Sequence, residues 1–137
     1  MKMAKAWKTV LIVDDSRLFL DFEREMLEPW GCRVREAISF KDAEASIREE
    51  TPDLVLLDLT LPDRSGADLC RLIKTMPALA SIPVIMVSAS ERIEEVQRCI
   101  DAGCDDYLTK PINADVLRAK VGQALGVAAR RSFRVPI

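Results

Sequence analysis

The chain has 137 residues, 49% hydrophobic and 31% charged, with a formal net charge of −2, which suits one domain with a real core and leaves too little for two. A pI near 5.3 gives no basic footprint for nucleic acid, and no apolar run is long enough to cross a membrane. There is no histidine, so Ser-His-Asp and Cys-His catalysis are excluded and zinc is not expected; Cys32, Cys70, Cys99 and Cys104 lack CxxC spacing and read as reduced, packed thiols.

The basic start, Met1 to Lys8, precedes an apolar run too short for a signal peptide. Thr9-Val10-Leu11-Ile12-Val13 predicts a buried strand that ends in two acids, Asp14 and Asp15. Ser16 is placed to cap a helix on which Leu18, Phe19, Phe22, Met26 and Leu27 fall at helical spacing and are expected to face the sheet, with Pro29 and Gly31 ending it. Arg33 to Ala37 predicts a more polar strand nearer a sheet edge, and Ser39 with Asp42 resembles a capping box opening a helix through Glu50. Leu54-Val55-Leu56-Leu57 is then an unbroken apolar run ending at Asp58.

An unpaired carboxylate is too costly inside a strand buried on both faces. Asp58 is therefore expected at the strand's carboxyl end, the edge at which open α/β sheets bind ligands. Ser65 and Asp68 form another cap-like pair, opening a helix with Leu69, Leu72 and Ile73 that ends near Pro77. Val84 to Val87 predicts a fourth strand finishing in Ser88-Ala89-Ser90, followed by a helix from about Ile93 to Ala102 with Gly103 at its C′ position. Asp105 to Thr109 is a shorter fifth strand; Lys110-Pro111 follows, and Asn113 caps a last helix through about Ala128. Regular alternation of this kind predicts an α/β fold, a doubly wound parallel sheet of five strands with five helices. Right-handed crossovers then align Asp14, Asp15, Asp58, Ser88 and Lys110 along one edge.

Three clustered carboxylates repel one another unless a cation lies between them. A hard divalent ion that keeps water and phosphate as its other ligands suits such a site, and magnesium is the natural choice. Lys110 and Ser88 could hold phosphoryl oxygens, and an aspartate can act as the nucleophile in aspartyl-phosphate chemistry.

Val-Asp14-Asp15-Ser, Leu-Leu-Asp58-Leu-Thr-Leu-Pro62-Asp-Arg-Ser-Gly66, Val-Ser88-Ala89 and Asp-Tyr107-Leu-Thr-Lys110-Pro111, in that order at successive strand ends, resemble the receiver domain of two-component response regulators. The resemblance is chemotaxis-regulator-like and runs from about Lys8 to Leu125. It implies the flavodoxin-like strand order 2-1-3-4-5. It also implies that Asp58 is the phosphoacceptor, that Asp14, Asp15, Asp58 and the backbone carbonyl of Thr60 hold magnesium, and that Ser88 and Lys110 bind the phosphoryl group. Tyr107 would be the aromatic that follows Ser88, and the Lys110-Pro111 bond would be cis. The implied reaction is in-line attack by Asp58 on a phosphohistidine of a sensor histidine kinase or phosphotransfer protein, then slow hydrolysis. On that reading the chain is no turnover enzyme.

The added charge is expected to shift the face made by the fourth helix, fifth strand and fifth helix, which could also form a homodimer. A cytoplasmic location, no membrane contact and no direct nucleic-acid binding by this domain complete the expectation, with the output partner open. Two rivals stand beside it. One is a pseudo-receiver binding module that is not phosphorylated. The other is an aspartyl-nucleophile magnesium phosphatase, which would need an acid two residues past the nucleophile, where Thr60 stands. Thr60 and Ser90, flanking the site, are expected to tune dephosphorylation. The run Glu91, Arg92, Glu94, Glu95 and Arg98 reads as a solvated helix face.

The expected organisation is an extension over 1–7, a receiver over 8–128 and a basic tail over 129–137. The tail reads first as a frayed end. Arg130 and Arg134, with Val135-Pro136 after them, also resemble the RxxxR opening of a PilZ domain, which would make Arg130 and Arg134 the start of a cyclic di-GMP motif and the chain a receiver cut off at its output domain.

Overall fold

In the computed structural model, which describes residues 7–126, each apolar run is a strand and each capped segment a helix. The order is β1 (Lys8–Val13), α1 (Arg17–Leu27), β2 (Cys32–Ala37), α2 (Phe40–Glu49), β3 (Leu54–Asp58), α3 (Gly66–Thr75), β4 (Val84–Ser88), α4 (Ile93–Asp101), β5 (Asp106–Thr109) and α5 (Ala114–Ala124). The strands form one parallel sheet in the order β2-β1-β3-β4-β5. Arg130 and Arg134 lie outside the described residues.

Alternating side chains of the strands feed two cores. Val10, Ile12, Leu54, Leu56 and Ile85 pack with Leu20, Leu27, Leu117 and Val121 under α1 and α5. Leu11, Val55, Leu57 and Met86 pack with residues of α2, α3 and α4 on the other face. Leu54, Leu56 and Leu57 are at most 1% exposed; burying a side chain of this size contributes about 1.5–3 kcal/mol. At the outer edge, β2 carries Arg33 and Arg35, paired with Glu50 and Glu49 at 2.6 and 3.0 Å. Charges on an edge strand discourage its pairing with another chain.

The caps form as the sequence predicts at Ser16, Ser39, Ser65 and Asn113, each side chain accepting an amide of the first turn. Gly103, at φ 94°, closes α4 with its amide on the carbonyl of Ile100, while that of Cys104 bonds Cys99. Three expectations are corrected. The Asp42 carboxylate accepts from the amide of Ile38 rather than that of Ser39, so the capping box is only half formed. β5 starts at Asp106, because Asp105 turns aside to accept the amide of Val84 at 2.7 Å. The inward face of α1 is Leu20, Glu23 and Leu27, whereas Leu18 is 72% exposed. Two helical steps turn a side chain by about 200°, so Leu18 cannot share a face with Leu20.

Candidate functional site

The register of the sheet brings the site together. Val13 pairs with Leu57, Asp58 with Val87 and Ser88 with Thr109, so Asp14, Asp58, Ser88 and Lys110 end their strands at one level. One oxygen from each of Asp14, Asp15 and Asp58 lies within 4.8 Å of the others, with Asp14 and Asp58 buried and Asp15 exposed. Lys110 joins them: its Nζ donates to Asp14 Oδ2 at 2.7 Å and to Asp58 Oδ2 at 3.2 Å. The Asp14 Oδ1 accepts from the amide of Ser16, and Asp58 Oδ1 from that of Thr60. The peptide bond between Lys110 and Pro111 is cis.

Asp15, Asp58, Thr60, Ser88, Ser90 and Lys110, together with Ala89, Arg92 and Glu95, line a pocket of about 440 Å³. Arg92, the N-cap of α4, and Glu95 on its charged face therefore border the site as well. The β4–α4 turn is held by one bond within it and one from β5: the Ser88 hydroxyl accepts the amide of Ser90 at 3.0 Å, and the Tyr107 hydroxyl donates to the carbonyl of Ser90 at 2.6 Å. The β3–α3 turn is held by backbone. The amide of Gly66 donates to the carbonyl of Leu59 at 2.7 Å, and a Cβ on Gly66 would stand 2.0 Å from the carbonyl oxygen of Asp58. Only glycine fits there.

Burial, and after it the nearby Asp14, raises the Asp58 pKa from 3.8 to about 6, against the pull of Lys110 and the Thr60 amide. Burial works against the Lys110 charge too, but the hydrogen bond and charge of Asp14 and the charge of Asp58 outweigh it, and its pKa lies above the ordinary value. Apolar periodicity did not reveal a fourth carboxyl, Glu23 on α1. It is 2% exposed, and burial with the fields of Asp14 and Asp58 raises its pKa to about 8. Phe19, one turn earlier, lays its ring 4.0 Å from Lys110 Nζ. The only signal of Glu23 in the sequence is an acid at i+3 from Leu20 and i−4 from Leu27, in an otherwise apolar stripe.

The donor set is all oxygen, carries more negative than positive charge and faces a pocket, which fits a hard divalent cation. The fold and site define a class: a doubly wound α/β domain with an acidic cation pocket and one lysine at its carboxyl edge. Residues 10–122 match the response regulator receiver domain family, and the chain belongs to it. It is 35% identical over 127 residues to the DNA-binding dual master transcriptional regulator RpaA of Synechocystis sp., covering 93% of this chain and 51% of that protein. It is 33% identical to the polar-differentiation response regulator DivK of Brucella ovis, covering 88% and 98%. A CheY-like response regulator receiver domain protein from Methanospirillum hungatei superposes with a TM-score of 0.82 at 32% identity, over 88% of this chain and 94% of that one. The chain spans about half the length of the transcriptional regulators it matches. Among the described residues no helix is long and apolar enough to cross a membrane.

Proposed function

We propose that this domain accepts a phosphoryl group on Asp58 from the phosphohistidine of a sensor histidine kinase or phosphotransfer protein, and passes the signal on through the face formed by α4, β5 and α5. The observation that carries the reading is the convergence of Asp14, Asp15 and Asp58 within 4.8 Å around Lys110 in a chain of the receiver family. An Asp58 carboxylate oxygen attacks phosphorus, the P–N bond breaks, and the imidazole leaves with the electron pair and takes up a proton. Magnesium held by Asp14, Asp15, Asp58 and the Thr60 carbonyl would supply positive charge to the phosphoryl oxygens. Lys110, at the end of β5, orients and neutralises the same oxygens, and the Ser88 hydroxyl donates to them. Thr60 and Ser90, lining the pocket, control the approach of the water that later hydrolyses the acyl phosphate. The protein catalyses its own transfer and hydrolysis and does not turn over a separate substrate.

Nearly two negative charges are added next to Ser88. When its hydroxyl turns to the phosphoryl group it releases the amide of Ser90, whose carbonyl holds Tyr107. The β4–α4 turn and the Tyr107 ring thus move together, altering a surface suited to an output partner or a second copy in the cytoplasm. The test is to incubate the chain with phosphoramidate and magnesium and measure its intact mass. One phosphoryl group is expected, with none in Asp58→Asn or without metal; no gain under several small donors would instead support a binding module that is not phosphorylated.

A further inference from the structure

The ammonium of Lys110 is the cation that balances the buried carboxylates of the site, and its side chain is 10% exposed. An ammonium has three N–H groups. Two are accounted for by Asp14 Oδ2 at 2.7 Å and Asp58 Oδ2 at 3.2 Å, which come from the ends of β1 and β3. The ammonium also lies over the ring of Phe19, whose centroid is 4.0 Å from Nζ. That distance places the charge against the negative π face, an attraction that strengthens where water is excluded. Glu23 follows Phe19 by one turn on α1 and is buried; with its pKa raised to about 8 it is mostly uncharged at neutral pH, so the ring is what this helix offers the ammonium.

We propose that Phe19 is a positioning residue for chemistry at Asp58, its ring being the third support of the Lys110 ammonium; the proposal rests on the phosphoacceptor reading above. Two carboxylates on adjacent strands leave an ammonium free to slide toward either one. The ring removes that freedom, since sliding off its face loses the π contact. It also covers a side of the ammonium that an aliphatic residue would leave bare. The geometry needs an aromatic at this position, not merely an apolar residue. Phe19 touches neither the phosphoryl group nor the attacking oxygen; it acts through Lys110. When a phosphoryl group competes for Lys110, the loss is felt on α1 as well as on the β4–α4 turn.

The test uses the whole chain with phosphoramidate and magnesium, following intact mass over time, alongside the NMR shift of the Lys110 ε-methylene protons. In the wild type those protons are expected upfield, under the ring current of Phe19, and Phe19→Leu returns them to the ordinary lysine position while Phe19→Tyr keeps them shifted. Phosphoryl incorporation is expected to slow by about three- to tenfold in Phe19→Leu and to stay within about twofold in Phe19→Tyr. Trifluorophenylalanine at position 19 keeps the shape and weakens the π face, so it is expected to slow incorporation as leucine does; it decides the matter if Phe19→Leu does not fold. Wild-type rates in the fluorinated protein, or Lys110 signals indifferent to Phe19→Leu, overturn the proposal. A wild type that gains no phosphoryl mass overturns the phosphoacceptor reading instead, and the NMR arm then reports on the Phe19 contact by itself.

Discussion

Acids stand at both ends of the sheet, and the two ends treat them differently. At the amino end each acid has its own partners: Asp53 accepts the amide of Thr9 at 2.8 Å, Asp105 accepts the amide of Val84 and pairs with Lys74 at 2.8 Å, and Asp106 pairs with Lys120. At the carboxyl end Asp14 and Asp58 share Lys110, with Asp15 close by. One end uses charge to fasten loops to strands, while the other accumulates charge that folding alone would avoid. Such under-compensation marks a candidate functional site.

Substitutions should separate the two ends. The largest effect is expected from Asp58→Asn, which abolishes phosphoryl incorporation by intact mass and, without magnesium at pH 7.5, raises the thermal midpoint. Its sign follows from the raised pKa: an acid that binds its proton more tightly when folded lowers stability as pH rises from 3.8 through about 6, and asparagine removes that loss. Next, the wild-type rate of incorporation at low magnesium should fall about tenfold per unit below pH 6 as the nucleophile takes up a proton, with saturating metal moving the midpoint down.

Glu23→Gln should flatten the stability profile between pH 4.5 and 8, the window in which the carboxyl ionises in the unfolded chain but stays protonated in the fold, so that wild-type stability falls as pH rises; denaturant titrations at several pH values measure it. Smallest is Asp105→Ala at the other end. It leaves the Val84 amide without its acceptor and removes the carboxylate partner of Lys74, which keeps the Ile82 carbonyl, and should cost about 1–3 kcal/mol in denaturant unfolding with incorporation unchanged. A fall in incorporation there as large as in a carboxyl-edge variant would erase the distinction between the two ends.

The strands were legible because buried parallel strands are continuous apolar runs, and their acidic or polar last residues announced the edge. From Asp14, Asp15, Asp58 and Lys110 the composition of the site could be read before its geometry. What stayed hidden depends on helix rotation. α1 offers overlapping apolar stripes, and only packing on β1 and α5 chooses the one that buries Leu20 and Leu27 and carries Glu23 between them. For the same reason the Phe19 contact with Lys110 could not be anticipated, since it joins residues in α1 and after β5. Gly66 was visible as part of a loop, but nothing in the sequence said how near its backbone comes to Asp58.

That approach gives the two turns that flank the site different constraints. With no room for even a methyl group between Gly66 and the Asp58 carbonyl, the start of α3 and the end of β3 form one rigid piece. The opposite turn leads to a helix whose N-cap residue, Arg92, makes no side-chain capping bond, and it is held through the hydroxyls of Ser88, Ser90 and Tyr107. On the proposed phosphoacceptor reading, a charge placed on Asp58 would act through the hydroxyl-held turn before α4 more readily than through the backbone contact that fixes α3 against β3.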